Sequence, residues 1–160
     1  MGSIRFPAAV TLAAILVLCA LSALVTAAAG PEGGAGGRAV VLIRTVDDLQ
    51  KMGDQENADY ELANDIDASA TRNWNSGKGF APLGTPQDRF TGTIDGKGYN
   101  ITGLYINRPA QDYVGLIGRA YRPGGFIRDL NLIDVDITGG GVVGAIAGNN
   151  SMPVDRCQVW

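Results

Sequence analysis

Residues 101–106 read ITGLYI, residues 127–132 read IRDLNL, and residues 154–159 read VDRCQV. Each segment sets an apolar residue at its first, fourth and sixth positions: Ile101, Leu104 and Ile106; Ile127, Leu130 and Leu132; Val154, Cys157 and Val159. The copies lie 26 and then 27 residues apart. A second element interleaves with them. Val114-Gly115-Leu116-Ile117-Gly118 returns 29 residues later as Val143-Gly144-Ala145-Ile146-Ala147-Gly148. Pro123-Gly124-Gly125 and Gly139-Gly140-Gly141 separate the copies and read as turns. Units of this size, made of short apolar runs and Gly-rich corners, cannot bury an apolar face singly and must stack. At about 4.8 Å between paired strands, equivalent aliphatics pile into interior ladders. The expected fold is therefore all-β, a parallel β-solenoid, with Leu104, Leu130 and Cys157 in one ladder. A leucine-rich repeat fits less well, because IDVDITGGGVVG (residues 133–144) alternates and turns where that repeat needs a different continuation.

Upstream, residues 90–106 read FTGTIDGKGYNITGLYI. Asp95-Gly96 is expected to turn the chain into the first registered rung, with Gly96 at positive φ and Lys97 exposed. Ala39–Ile43 is a β-branched and aliphatic run that predicts a first strand. Thr45 then opens TVDDLQKMG, where Thr45 suits an N-cap, Asp47 and Asp48 suit the positive helix end, and Gly53 suits a stop. Val46, Leu49 and Met52 share one face, so a short amphipathic helix capping the stack is expected. Tyr60, Leu62 and Ile66 alternate with polar neighbours as strands do. The following loop is expected to be pinned by Trp74, Phe80 and Leu83, with Pro82 and Pro86 arguing against helix.

The first 29 residues carry one positive charge, Arg5, then an uncharged run closed by Ala27, Ala28 and Ala29. That order is a secretory signal peptide, or an anchor if it is not cleaved, and it places the rest outside the cytoplasm. Residues 30–38 form a Gly-rich linker, and residues 39–160 the repeat domain, expected to be truncated at its C-terminus and open to end-to-end stacking.

The chain has 160 residues, 23 of them Gly, a formal net charge of −3 and no His. Without His there is no Ser-His-Asp or Cys-His triad and no His-based zinc site, and without a basic cluster nucleic acid is not an expected partner. No cofactor or metal is expected. Cys157 reads as a small buried hydrophobe, since little near it favours a thiolate. The carboxylates offer the only enzymatic candidates. Asp65/Asp67 and Asp134/Asp136 stand two apart and would share a strand face, and Asp95 sits in a Gly-framed turn. In each case alternation favours a solvent-facing or turn role, so no catalytic residue is assigned and Asp95, Asp134 and Asp136 stand as weak candidates.

Three further stretches add to the repeat: Tyr60-Glu61-Leu62-Ala63-Asn64-Asp65-Ile66-Asp67, Phe80-Ala81-Pro82-Leu83-Gly84, and Phe90 to Ile101. Together with Val114-Gly115-Leu116-Ile117-Gly118 and Ile127-Arg128-Asp129-Leu130, they resemble the secreted GLUG-motif proteins, with Ile117 where the family usually has an aromatic. The resemblance runs from about Thr45 to Trp160. It implies a right-handed parallel β-helix of the pectin-lyase-like type and an extracellular or cell-surface location, and it transfers no catalytic residue. The function it implies is a non-catalytic stalk or adhesin-like module meeting a glycan or protein. The rival readings are a carbohydrate-active enzyme, a polysaccharide lyase or hydrolase with an Asp-lined groove, and the N-terminal repeat region of a larger secreted peptidase.

Overall fold

A computed structural model describes residues 38–160. The export signal and nearly all of the Gly-rich linker lie outside the described residues. Among the described residues, no helix is long and apolar enough to cross a membrane.

Strand β1 (Val40–Ile43) leads into helix α1 (Val46–Lys51). Thr45 Oγ1 accepts from Asp48 N (3.1 Å), and the Asp48 carboxylate accepts from Thr45 N (3.1 Å), a complete capping box. Leu49 and Met52 are buried and Val46 is partly so, which makes this helix a lid over the first turn of the stack. The chain then winds through β2 (Asp59–Leu62) and β3 (Ile66–Asp67), and next through β4 (Thr93–Asp95), β5 (Asn100–Thr102), β6 (Tyr105–Asn107) and β7 (Ile117–Ala120). A further turn supplies β8 (Ile127–Arg128), β9 (Asn131–Ile133), β10 (Asp136–Thr138) and β11 (Ala147–Asn150), followed by β12 (Val154–Asp155) and β13 (Gln158–Val159).

Every strand pair is parallel. One sheet runs β1-β2-β4-β8-β12, a second β13-β9-β5-β3, and two narrower ones pair β6 with β10 and β7 with β11. This is a parallel β-solenoid. Its interior ladders are Tyr60/Ile94/Ile127, Ile66/Ile101/Leu132 and Ile106/Ile137. Phe80, Leu83 and Phe90 are fully buried and Trp74 half-buried, so the connection is pinned where its apolar residues predict, although Ser69–Gly77 winds into 3-10 turns where a plain loop is expected.

The register corrects the 26-residue alignment. Ile101 pairs with Leu132, and the partner of Ile127 is Ile94. The misleading match arises because both segments are corners of the same chemical type. In each, a left-handed residue, Gly103 (φ 72°) or Asp129 (φ 52°), precedes a buried Leu. The true successor of Gly103-Leu104 is Asp134-Val135, with Asp134 at φ 51° and Gly103 N bonded to Ile133 O at 2.8 Å. Leu104 therefore leaves the expected ladder, since Asp136 N bonds to its carbonyl, whereas Leu130 and Cys157 do stack. The 27-residue step and the Val114–Val143 equivalence both hold. A turn earlier than residues 90–106 also exists, begun by Asp59.

Gly96 needs a second correction. The positive φ values fall on Lys97 (52°) and Gly98 (81°). A Cβ on Gly96 would stand 2.3 Å from Asp129 O and 2.6 Å from Leu130 Cα, so glycine serves here to let two turns approach.

Candidate functional site

Because strand side chains alternate, burying Tyr60, Ile94 and Ile127 turns Glu61, Asp95 and Arg128 outward. The register stacks these three directly, with Asp155 beyond Arg128. The adjoining corner adds Lys97, Asp129 and Arg156, all with left-handed backbone. The result is a ladder of ion pairs crossing successive turns.

Asp95 is its centre, with a side chain 6% exposed. Its Oδ1 accepts from Lys97 N at 3.0 Å. Its Oδ2 accepts from Arg128 Nε (3.0 Å) and Nη2 (2.7 Å) and lies 3.2 Å from Lys97 Nζ. Lys97 Nζ also reaches Glu61 Oε1 at 3.0 Å. Burial works against ionisation of Asp95, but the Arg128 guanidinium and the Lys97 N–H and ammonium outweigh it and hold the carboxyl below its ordinary range. Arg128 lies over the Phe126 ring at 4.4 Å and 3.8 Å from Asp129 Oδ2. Arg156 grips Asp129 with Nε (2.5 Å) and Nη2 (2.8 Å), a bidentate pair, and also pairs with Asp155. The Arg156 fork keeps Asp129 ionised below its usual range.

Beside the ladder, Arg122 Nη1 donates to Asp59 Oδ1 at 2.7 Å. Asp59, Thr93, Arg122 and Arg128 border a shallow groove of about 220 Å³. Burial opposes ionisation of Asp59, and hydrogen bonds from Arg122 and Thr93 more than offset it.

The sequence candidates do not converge. Asp134 occupies a corner outside any strand, so it does not share a strand face with Asp136. Asp136, in β10, pairs with Arg72 at 3.2 Å, both side chains more than half exposed, while Arg72 covers the Tyr105 ring at 4.2 Å. Asp65 likewise precedes its strand, and its Oδ1 accepts from Asn100 N (2.8 Å), while Asp67 Oδ1 accepts from Ser69 N (2.9 Å). Among the described residues no group of three or more Asp, Glu or Cys is placed to hold a metal ion. Cys157 is half-buried beneath Leu130, and burial pushes its thiol up, opposite to the shift a nucleophile needs.

A carboxylate with both oxygens engaged by cations and a backbone N–H has no proton to give and little freedom to attack. Arg128 as the partner of Asp95 was not anticipated. The signal was present, as opposite charges at equivalent places in successive turns, but it emerges only once the 33-residue step from Ile94 to Ile127 is known.

No family model matches the sequence, and no solved structure matches it. Two curated proteins do. Halomucin of Haloquadratum walsbyi is 38% identical over 107 residues, which covers 62% of this chain and 1% of halomucin. A protein of Evansella cellulosilytica named as a Gly-rich membrane protein is 40% identical over 103 residues, covering 62% of this chain and 12% of that one. The chain thus spans only a small part of the length of either relative.

Proposed function

We propose that this chain is a non-catalytic, surface-associated β-solenoid module, a stalk or adhesin-like element exposed at the cell envelope. The observation that carries this reading is the state of Asp95. The most enclosed carboxylate on the outer face is spent on joining turns, with Lys97 and Arg128 on its oxygens. The name of the Evansella relative, a membrane protein, supports an envelope location. So does the leading segment, which reads as an export signal. In both relatives the similar stretch is a minor part of a much longer protein, which suits a building block of extended surface chains. The motif order resembling GLUG repeats points the same way.

The test is a panel of polysaccharides incubated with the purified chain and with its Asp95→Asn and Asp134→Ala/Asp136→Ala variants. The expected result is no new reducing ends and no unsaturated products from any of them. Depolymerisation by the parent that these substitutions abolish would overturn the proposal in favour of a carbohydrate-active enzyme.

A further inference from the structure

Beside the capping helix lies a shallow, open cleft of about 540 Å³. Helix α1 forms one wall with Asp47, Gln50 and Lys51, which at spacings of three and four share a face. Asp54 extends that wall, and Trp74 and Asn75 stand opposite. Gln50 is a spacer and not a ligand group. Its Nε2 donates to Ala81 O (3.1 Å) and its Oε1 accepts from Ala81 N (2.8 Å), which clasps the helix to the loop and fixes the width of the cleft.

Trp74 is held with similar care. It sits where the 3-10 turns of Ser69–Gly77 break, followed by left-handed Asn75 (φ 52°), Ser76 (φ 57°) and Gly77 (φ 80°). Gly79 N bonds to Trp74 O at 3.1 Å, and Asn75 Nδ2 donates to Gly79 O at 2.8 Å, closing the loop on itself. Left-handed backbone is costly at residues with a Cβ and persists only where the surroundings impose it. The indole is half-buried, packs against the core and also lines the cleft.

The charges here differ from those of the ladder. Asp47, Lys51 and Asp54 take part in none of the salt bridges among the described residues. An aromatic face next to unengaged carboxylates suits a ligand with a flat C–H face and several hydroxyl donors. Two carboxylates to one ammonium disfavour a polyanion. We infer that this cleft binds a neutral saccharide, with a pyranose ring laid on Trp74 and its hydroxyls shared among Asp47, Asp54 and Lys51. The inference rests on the reading of the chain as a surface module and gives that module a ligand class and a place to hold it.

The chain has two tryptophans, so Trp160→Phe in the full chain leaves Trp74 as the only one. That variant is titrated with neutral gluco-, manno-, xylo- and galacto-oligosaccharides and, in parallel, with oligouronates, following emission and acrylamide quenching. At least one neutral series is expected to shift the emission saturably and protect Trp74 from quencher, while oligouronates do neither. Asp54→Ala, at an exposed position, is expected to weaken that binding about tenfold, the worth of one charge-assisted hydrogen bond, with the melting temperature unchanged. No response to any neutral series would overturn the site, as would calorimetric titrations in which Trp74→Ala and Asp54→Ala bind with the parent's affinity. A glycan-array ligand retained undiminished by both variants would overturn this site yet leave the module reading standing. Asp95-dependent depolymerisation would overturn the module reading itself.

Discussion

Replacing Gly96 with alanine would set a Cβ 2.3 Å from Asp129 O and 2.6 Å from Leu130 Cα, both backbone atoms of the next turn. Ordinary contact begins at 3.4 Å, so the two turns must part by about 1 Å at this corner. Backbone cannot swing aside as a side-chain tip would. The bonds at risk are Gly96 N to Arg128 O and Gly98 N to Asp129 O, each 2.8 Å, which tie the turns together beside the ion ladder. Overpacking costs about 1–3 kcal/mol, and a weakened buried backbone bond adds about 1 kcal/mol, so a loss of roughly 3 kcal/mol is expected. Gly98 is the matched control. It has φ +81° and open space around the position of a Cβ, so alanine there meets only the left-handed penalty of roughly 1–2 kcal/mol. Urea unfolding of the two variants followed by far-UV circular dichroism measures both. A Gly98→Ala loss equal to or greater than that of Gly96→Ala would show that close approach of the turns at Gly96 is not what demands glycine there.

Ile101→Ala empties a fully buried site between Ile66 and Leu132, and urea unfolding is expected to show a loss of about 2–5 kcal/mol; less than 1 kcal/mol would contradict the ladder. Arg72→Ala removes a pair whose side chains are 61% and 53% exposed, so its effect should stay within about 1 kcal/mol, and a change well above that would mean the pair is more than a surface contact. Glu56→Gln tests a carboxyl raised above its ordinary pKa by burial, with the Gly84 N–H opposing and Asp88 adding to the rise. A raised folded-state pKa contributes stability that is full below the unfolded pKa and lost as pH climbs through the folded one. The Gln variant should therefore melt higher than the parent at pH 7, with the gain shrinking toward pH 4. A gain confined to pH 4 would reverse the assignment.

Much of the architecture is legible in the residues. Thr45, Asp48 and the Val46/Leu49/Met52 face declare the capping helix, and the apolar runs with Gly-rich corners declare a parallel stack. Register is harder to read because a corner and a rung carry similar patterns. Ile101-x-Gly103-Leu104 and Ile127-x-Asp129-Leu130 are both bends through left-handed backbone. The corners also differ in length, with four residues between Asp95 and Asn100 but two between Arg128 and Asn131. Until such insertions are placed, the opposite charges that meet across turns do not line up, which hid Arg128 from Asp95. The Trp74 cleft is hidden for a different reason. Its walls come from a helix and a loop whose approach depends on the Gln50–Ala81 clasp, a contact 31 residues apart that no local pattern marks.

Asp95, held by Arg128 and Lys97, acts as an ionised strut between turns and not as a proton donor. A carbon-13 NMR titration of the Asp95 carboxyl tests it most directly. The expected midpoint lies below that of an unstructured aspartate, about 3.9, and moves upward in Arg128→Ala as the guanidinium is lost. A midpoint above the ordinary carboxylate range in the parent, unmoved by Arg128→Ala, would contradict it and mark Asp95 as an acid held ready for chemistry.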